Sequence, residues 1–251
     1  MPVFDEIHSL QFVWFTSGEP PHAVDVLLHG ITGSEPDHVQ RFKPPAAPVP
    51  VSLAASRIDD ADIRIQIAPG RVDLTVTPAD AMVGSDTARF ESNAVVTRYV
   101  EKAKAISGLI GAAFRQSIVI KAAKKVASED EVGAAFTELL GMEADLTGAA
   151  DLSFSINRRV EFDGVTYNRV LRWQAETTQL HQVMGGGHLG GIPDFGAAPP
   201  IARSTYMTYI LDINTVPLTT LRQPAELEKV FDRISAIAFE ALKFERAGDL
   251  R

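Results

Sequence analysis

The chain has 251 residues, with 24 Lys and Arg against 32 Asp and Glu, no cysteine and a net charge of −8. The lack of cysteine excludes a disulfide scaffold, a thiolate metal site and a cysteine nucleophile. No apolar run approaches the roughly 20 residues that span a bilayer, and residues 1–15 lack the basic start of a secretory signal. We therefore expect a cytoplasmic globular protein without a membrane segment.

The first third of the chain predicts strands around an irregular connection. Residues 7–16 are rich in aromatic and branched side chains, which favour a strand. Residues 23–28 are compatible with a short helix or a strand. Five prolines between residues 34 and 52 predict an extended surface connection, because proline neither continues a helix nor pairs in a central strand.

The clearest local pattern is a hairpin over residues 63–77. Apolar and polar residues alternate from Ile63 to Ile67 and again from Val72 to Val76, with Pro69–Gly70 between the two runs. Alternation of this kind predicts two antiparallel strands with one buried and one hydrated face. Pro-Gly suits a type II turn, and a longer loop with a bulge is the alternative.

The rest of the chain alternates between strand and helix patterns. Apolar periodicity, helix-capping residues, and the positions of glycine and proline predict three helices: Ser92 to Phe114, 128–141, and Pro224 to about Arg246. The same signals predict strands over 118–126, 151–162 and 206–216, and one or two strands over 165–184. Residues 184–203 are predicted to form a loop.

This order predicts an α+β fold with antiparallel sheet rather than a parallel sheet of alternating strands and helices. Strands come first and a long helix follows, and the same sequence of elements then repeats. We therefore expect two similar strand-strand-helix halves, with long helices packed on the sheet. Residues 1–251 are expected to form a single domain, with 1–127 and 128–251 as candidate half-domains.

The layout also carries a resemblance. An early aromatic strand, the 63–77 hairpin, a long helix and the stretch from Tyr209 to Asn214 precede a C-terminal helix with Phe239 and Glu240. In these features the chain resembles a sporadically distributed family of uncharacterised bacterial proteins of similar length. The resemblance implies a bacterial protein of an accessory or mobile gene set, and it transfers no activity or site residue.

Two glycine motifs imitate catalytic or cofactor signatures. Residues 185–190 satisfy the G-x-G-x-x-G spacing of dinucleotide sites, but Pro193, Pro199 and Pro200 exclude the helix that must follow. Residues 26–33 resemble the His-Gly segment of α/β-hydrolases, but the chain lacks a Gly-x-Ser-x-Gly elbow. Neither motif implies a cofactor. The glycine-rich 184–203 loop is longer than most connections, and loops of this length are commonly disordered, with a functional lid as the alternative.

A speculative ligand site is drawn from residues that carry charge, an imidazole or a planar ring. Asp212 and Asn214 share one face of a strand, where the carboxylate either accepts backbone N–H bonds, pairs with an arginine, or anchors a ligand. Arginines that meet on one face beside an aromatic ring would bind an anion or a planar ligand. The candidates are Arg158, Arg172, Trp173, His181, His188, Asp212 and Asn214.

Charge is unevenly distributed along the chain. Residues 92–127 carry seven Lys and Arg against Glu101 alone, a local charge of +6. A solvated face is the simpler explanation of this segment, and phosphate contact is the alternative. Stacking aromatic residues are scarce within it, and the protein as a whole is acidic, so nucleic acid is disfavoured as a partner.

The sequence therefore predicts a non-catalytic binding or interaction protein. A protein partner or a second copy of the chain is the favoured ligand, with a small molecule as the further option, and no metal or other cofactor is implied. The rival prediction is an enzyme, metal-dependent or acting on a small molecule, with a pocket under the 184–203 loop.

Overall fold

A computed structural model describes residues 6–43, 50–79, 89–90, 94–128, 130–141, 145–146, 148–149, 151–180, 202–218 and 220–244. These ranges contain nine strands and four helices. In chain order they are β1 (Glu6–Thr16), α1 (Val24–Thr32), β2 (His38–Phe42), β3 (Val51–Ile58), β4 (Ala61–Ala68), β5 (Arg71–Pro78), α2 (Ala94–Ile110), β6 (Ala113–Val126), α3 (Asp130–Leu140), β7 (Ser153–Phe162), β8 (Val165–Leu180), β9 (Ala202–Thr215) and α4 (Pro224–Ala241).

The strands form one antiparallel sheet in the order β2-β3-β4-β5-β1-β6-β9-β8-β7. β1 and β6 are neighbours near its middle, and a meander of consecutive strands extends outward on each side. The predicted α+β class with antiparallel sheet is confirmed. Among the helices in the described ranges, none is both long and apolar enough to cross a bilayer.

One face of the sheet is apolar and lies under the helices. Side chains alternate between the two faces of a strand, so Leu10, Phe12 and Trp14 of β1 point the same way. Their partners across the ladders, such as Ile118 on β6 and Leu74 on β5, share that face. All these side chains are at most 1% exposed. They join buried residues of all four helices in one hydrophobic cluster.

Helix α4 is fixed on the middle of this face by aromatic packing. The Phe231 ring stacks on Phe12 and Trp14, with centroids 6.0 and 6.1 Å away. Pro224 stands at the start of α4, where its missing N–H costs no hydrogen bond, and Gln223 and Glu226 form a reciprocal capping box. The predicted start of this helix is confirmed, whereas its end at Ala241 comes earlier than Arg246.

The 63–77 hairpin is confirmed as β4 and β5. Ala68 pairs with Arg71 across a two-residue turn formed by Pro69 and Gly70. Gly70 takes a φ of +69°, which a residue with a Cβ rarely adopts. Because that turn fixes the register, the three isoleucines of β4 and the apolar residues of β5 face the helices together.

Three further features differ from the prediction. Phe114 belongs to β6 and not to the preceding helix, because α2 ends at Ile110 and Gly111 follows with a φ of +88°. The 34–52 stretch contains the strand β2 between its prolines, and β3 begins at Val51. β9 starts at Ala202, so the predicted 184–203 loop overlaps its first residues, while residues 184–201 lie outside the described ranges.

Replacing Phe231 by Ala should lower the free energy of unfolding by about 3–5 kcal/mol, because the cavity lies between α4 and the two central aromatic residues of β1. Urea denaturation of the purified protein measures the change. Val26→Ala is the control, because Val26 is 45% exposed on α1 and should change the same quantity by under about 0.5 kcal/mol. Equal stability of wild type and Phe231→Ala would contradict the packing of α4.

Candidate functional site

The face of the sheet opposite the helices carries mostly polar side chains and is called the polar face here. Ladder register places Gln11, Asp73, Ser117, Asp212 and Arg172 on it. Val13, an apolar residue that is 4% exposed on this face of β1, is absent from the hydrophobic cluster that contains the helices' buried residues. In the part of the chain that the structure describes, all four helices thus pack on the other side of the sheet.

A row of hydrogen bonds crosses four strands of the polar face. Arg159 Nε on β7 donates to Asn168 Oδ1 on β8 at 3.2 Å, and Asn168 Nδ2 donates to Asn214 Oδ1 on β9 at 2.9 Å. Asn214 Nδ2 donates to Asp212 Oδ1 at 2.9 Å, and Ser117 Oγ on β6 donates to the same oxygen at 2.6 Å. These five side chains are called the polar row.

Three of the four bonds of the polar row run in one direction, from an exposed guanidinium through two amides to a carboxylate, and Ser117 donates to that carboxylate from the other side. Hydrogen bonds that are linked in series polarise and strengthen one another. Ser117 and Asn214 are only 5% and 2% exposed, so their orientations depend on the Asp212 acceptor. The row therefore holds its side chains in a fixed arrangement, with Arg159 exposed at one end.

A second polar group lies across β1, β5 and β4 and is called the Asp73 cluster. The Arg71 guanidinium donates to both Asp73 oxygens at 2.7 Å, and Gln11 Nε2 donates to Asp73 Oδ1 at 2.7 Å. Arg64 donates to Gln66 Oε1 at 3.1 Å on the adjoining strand. The bond to Asp73 raises the pKa of Arg71. These residues line a shallow depression of about 390 Å³.

Phe15 lies between two arginines near the centre of the sheet. The guanidinium carbons of Arg71 on β5 and Arg115 on β6 lie 5.4 and 5.0 Å from its ring centroid. Cations at this distance over a ring are attracted to its π electrons. Register explains the arrangement, since Phe15 pairs with Arg71 on one side and with Arg115 on the other.

His8 lies on β1 beside the Lys121–Glu176 ion pair of β6 and β8. Burial lowers the pKa of its imidazole, the positive charges of Lys121 and Arg89 lower it further, and Glu176 opposes them. The imidazole Nε2 is 3.8 Å from a Glu6 carboxylate oxygen. The folded protein thus favours the neutral imidazole.

The candidate arginines are separated by the sheet. Arg158 pairs with Arg169 opposite it and so lies on the helix side, whereas Arg172 lies on the polar face. Both side chains are exposed. Asp212 accepts its hydrogen bonds from Ser117 and Asn214, and neither candidate arginine pairs with it in the described ranges.

The aromatic and imidazole candidates have different outcomes. Trp173 is 2% exposed on the helix side and stacks on Tyr209 with centroids 5.3 Å apart, so its ring faces are enclosed in the core. His181 and His188 lie outside the described residues. The structure thus brings together Asp212 and Asn214 from the predicted set, and it adds Ser117, Asn168 and Arg159 to them.

The cations of the 92–127 segment have neighbours within the protein. Lys104 Nζ lies 2.6 Å from an Asp232 oxygen, and Lys121 Nζ lies 2.7 Å from a Glu176 oxygen. Lys102 donates to the Ile31 carbonyl at 2.6 Å, and Arg98 lies 3.2 Å from Asp60. At least four of its seven cations therefore already have acceptors, and these four lie on both sides of the sheet.

Metal-ligating side chains do not assemble within the described ranges. No group of three or more His, Asp and Glu residues there is arranged to hold an ion. His29 lies on α1 and His38 on β2, and both are exposed.

Replacing Asp212 by Ala should lower the free energy of unfolding by about 1–3 kcal/mol, because Ser117 and Asn214 lose their shared acceptor. Chemical denaturation measures the loss. Glu161→Ala removes an exposed carboxylate from the same face of β7 and should change stability by under about 0.5 kcal/mol. An Asp212→Ala protein as stable as the control would show that the row contributes nothing.

Stability should fall as the pH drops below 6.5, the ordinary pKa of histidine. Because folding lowers the His8 pKa, the unfolded chain binds the proton first, and stability is lost as the pH falls towards the folded value. Denaturation at several pH values, compared with His8→Gln, isolates this dependence. Wild type and His8→Gln with parallel profiles would contradict it, and His38→Gln, an exposed histidine, is the control.

Comparison with known proteins finds no family model that matches the chain and no match among curated proteins. What the chain does must therefore be inferred from its own residues and their geometry.

Proposed function

We propose that the chain is a non-catalytic binding protein and that its polar face receives a protein partner. The observation that carries this proposal is the pre-arranged set of hydrogen-bonding side chains formed by the polar row and the Asp73 cluster. Side chains that are already fixed lose little entropy when a partner binds, which favours affinity. The row leaves Arg159 exposed at its outer end, and Arg64 is exposed in the cluster.

The extent of this surface fits a macromolecule better than a metabolite. The polar row and the Asp73 cluster together span seven consecutive strands, from β4 to β7. At about 4.8 Å per strand they extend roughly 30 Å. A drug-sized ligand is usually enclosed in a concave pocket, whereas protein interfaces bury about 800 Å² on each partner.

The charges of the polar face favour a protein over a nucleic acid. Asp73, Glu176 and Asp212 place carboxylates on β5, β8 and β9, and two of them neutralise Arg71 and Lys121 at 2.7 Å. A phosphate backbone is bound by cations that lack such neutralisation. A face that presents both signs of charge suits a protein surface with the complementary pattern.

Apolar side chains interleave with these polar groups. Val119, Val170 and Ile210 are half-buried on the polar face of β6, β8 and β9. Interfaces between separately stable proteins combine apolar and hydrogen-bonding groups in this manner. The composition therefore supports a partner that binds the folded chain rather than one that completes its core.

A second copy of the chain is the alternative partner, added at an edge of the sheet. β2 is an edge strand in the described residues, and its side chains Val39 and Phe42 are 54% and 39% exposed. Exposed edge strands are templates for pairing with another chain. This mode leaves the polar face unoccupied, so the two proposals are separable.

The finer architecture is also a proposal, of two similar halves in one domain. β1 and β6 are each followed by a helix and then by a meander whose last strand returns beside them, β5 beside β1 and β9 beside β6. Each meander is followed by one of the longer helices, α2 or α4. In this arrangement the halves meet near Gly111 rather than at residue 127.

Other proposals rest on the sequence alone. The resemblance to a sporadically distributed bacterial family, an origin in an accessory or mobile gene set, and a cytoplasmic location are of this kind. The enzyme alternative also remains a prediction, because residues 184–201 of the loop over its pocket lie outside the described residues.

Site-specific photo-crosslinking in the host cell tests the proposed function. A benzophenone amino acid replaces Arg172 or Arg64 on the polar face, or Arg158 on the helix side, and all three positions are exposed. We expect one protein to be captured from both polar-face positions and not from position 158. Arg172→Glu should then weaken binding of that purified protein at least tenfold, about 1.4 kcal/mol, without changing the thermal midpoint.

The outcomes separate the alternatives. Equal capture at position 158, or none at positions 172 and 64, would contradict a polar-face partner. Adducts between two copies of the chain would support self-association instead, and adducts with nucleic acid would overturn the choice of a protein.

A further inference from the structure

A cavity of about 510 Å³ lies on the helix side of the sheet, between α4 and the β7–β8 hairpin. The hairpin contributes Asp163 and the buried side chains Val165 and Tyr167, and α4 contributes one exposed face with Val230 behind it. The volume is within the range of small-molecule sites. The polar face plays no part in it, because Tyr167 and α4 lie on the opposite side of the sheet.

Three cations line this cavity, namely Arg222, Lys229 and Arg233. Two of the three lining carboxylates are engaged elsewhere. Glu226 accepts a hydrogen bond from the backbone N–H of Gln223 at 3.0 Å, and Asp232 lies 2.6 Å from Lys104.

The third carboxylate is exposed to solvent. Asp163 is 91% exposed and lies 3.9 Å from Arg233. Glu226 and Asp163 keep their negative charges and Asp232 is neutralised by Lys104, so the three cations leave an excess of one positive charge. A cavity with this excess attracts an anion.

Arg222 is placed as an anion-binding residue. Its backbone exchanges two hydrogen bonds with Ala113 of β6, at 2.9 and 3.2 Å, which fixes the position of the residue. Its side-chain Nε is buried and has no hydrogen-bond partner among the described residues. A buried charged donor without an acceptor is costly, and an oxyanion would supply the acceptor.

Arg233 and Tyr167 complete the site. The Arg233 guanidinium lies over the Phe162 ring, 4.5 Å from its centroid, which orients the cation beside an aromatic surface. Burial raises the pKa of Tyr167, while the fields of Arg222 and Arg233 lower it, so both cations act on the same ring. The cavity thus combines the buried side chains Val165, Tyr167 and Val230 with three cations.

We propose that this cavity binds a small organic phosphate. A phosphate monoester carries close to two negative charges at neutral pH and presents three acceptor oxygens, enough for one on each of the three cations. The planar donors of Arg222 and Arg233 suit phosphate oxygens, and Lys229 adds a third cation. The wall of Val165, Tyr167 and Val230 accommodates the organic part.

Titration calorimetry with phenyl phosphate tests the site, with benzoate and inorganic phosphate as comparison ligands. We expect saturable binding of phenyl phosphate, at least tenfold tighter than either comparison ligand. Arg222→Gln and Lys229→Gln should each weaken it at least tenfold. Lys243→Gln is the matched control, because Lys243 is an exposed lysine just beyond α4 that does not line the cavity.

Thermal midpoints of the variants check that each one is folded. Should Arg222→Gln fail to fold, Lys229→Gln supplies the test, since Lys229 is exposed. Absent binding, or binding that Lys243→Gln weakens as much as Lys229→Gln does, would overturn the site. Benzoate binding as tight as that of phenyl phosphate would overturn the choice of phosphate. The polar-face variant Arg172→Glu should bind phenyl phosphate normally, so this proposal and the proposed function fail independently.

Discussion

The pairing of β1 with β6 is the constraint on which the rest of the structure depends. These two strands join the meander of β2–β5 to the meander of β7–β9, and without them the sheet would be two separate sheets. Their register places Phe12 opposite Ile118 and Leu10 opposite Ile120. A shift of one residue would turn these apolar side chains away from the helices, so burial of one face specifies the register strongly.

The same register builds the polar face. Phe12 and Ile118 face the helices, so their sequence neighbours on each strand face the other way. On that side Ser117 of β6 comes within reach of Asp212 on β9. Phe15 likewise comes to lie between Arg71 and Arg115. A hydrophobic requirement on one side of the sheet thus determines which polar groups meet on the other. The phosphate cavity depends on the same core, since Phe231 fixes α4, which forms one side of the cavity, against Phe12 and Trp14 of β1.

Local patterns in the sequence predicted the elements that are defined locally. The 63–77 hairpin follows from strict alternation around Pro-Gly, and the start of α4 follows from Pro224. β2 was missed because its five residues stand between prolines and are all exposed, so no apolar alternation marks them. Phe114 was assigned to a helix because its spacing continues an apolar stripe, although Gly111 ends that helix first.

The site was harder to predict because its residues meet only through pairing of distant segments. Asp212 and Asn214 were selected from their own strand, but Ser117 is 95 positions away from Asp212 and Asn168 is 46 positions away from Asn214. Alternation assigns each of them to a face, and only the strand order brings them together. Trp173 was misleading for a related reason, since a tryptophan in a polar strand is equally compatible with a ligand platform and with the core.

Native-state hydrogen exchange tests most directly whether the two meanders form one sheet. The amides of Phe12 on β1 and Ile118 on β6 belong to the central pair. If β1 and β6 are the junction of a single cooperative domain, these amides should be among the slowest to exchange, with an opening free energy equal to that of global unfolding. If either amide exchanged with an opening free energy below that of global unfolding, while one meander stayed folded, this account would be contradicted.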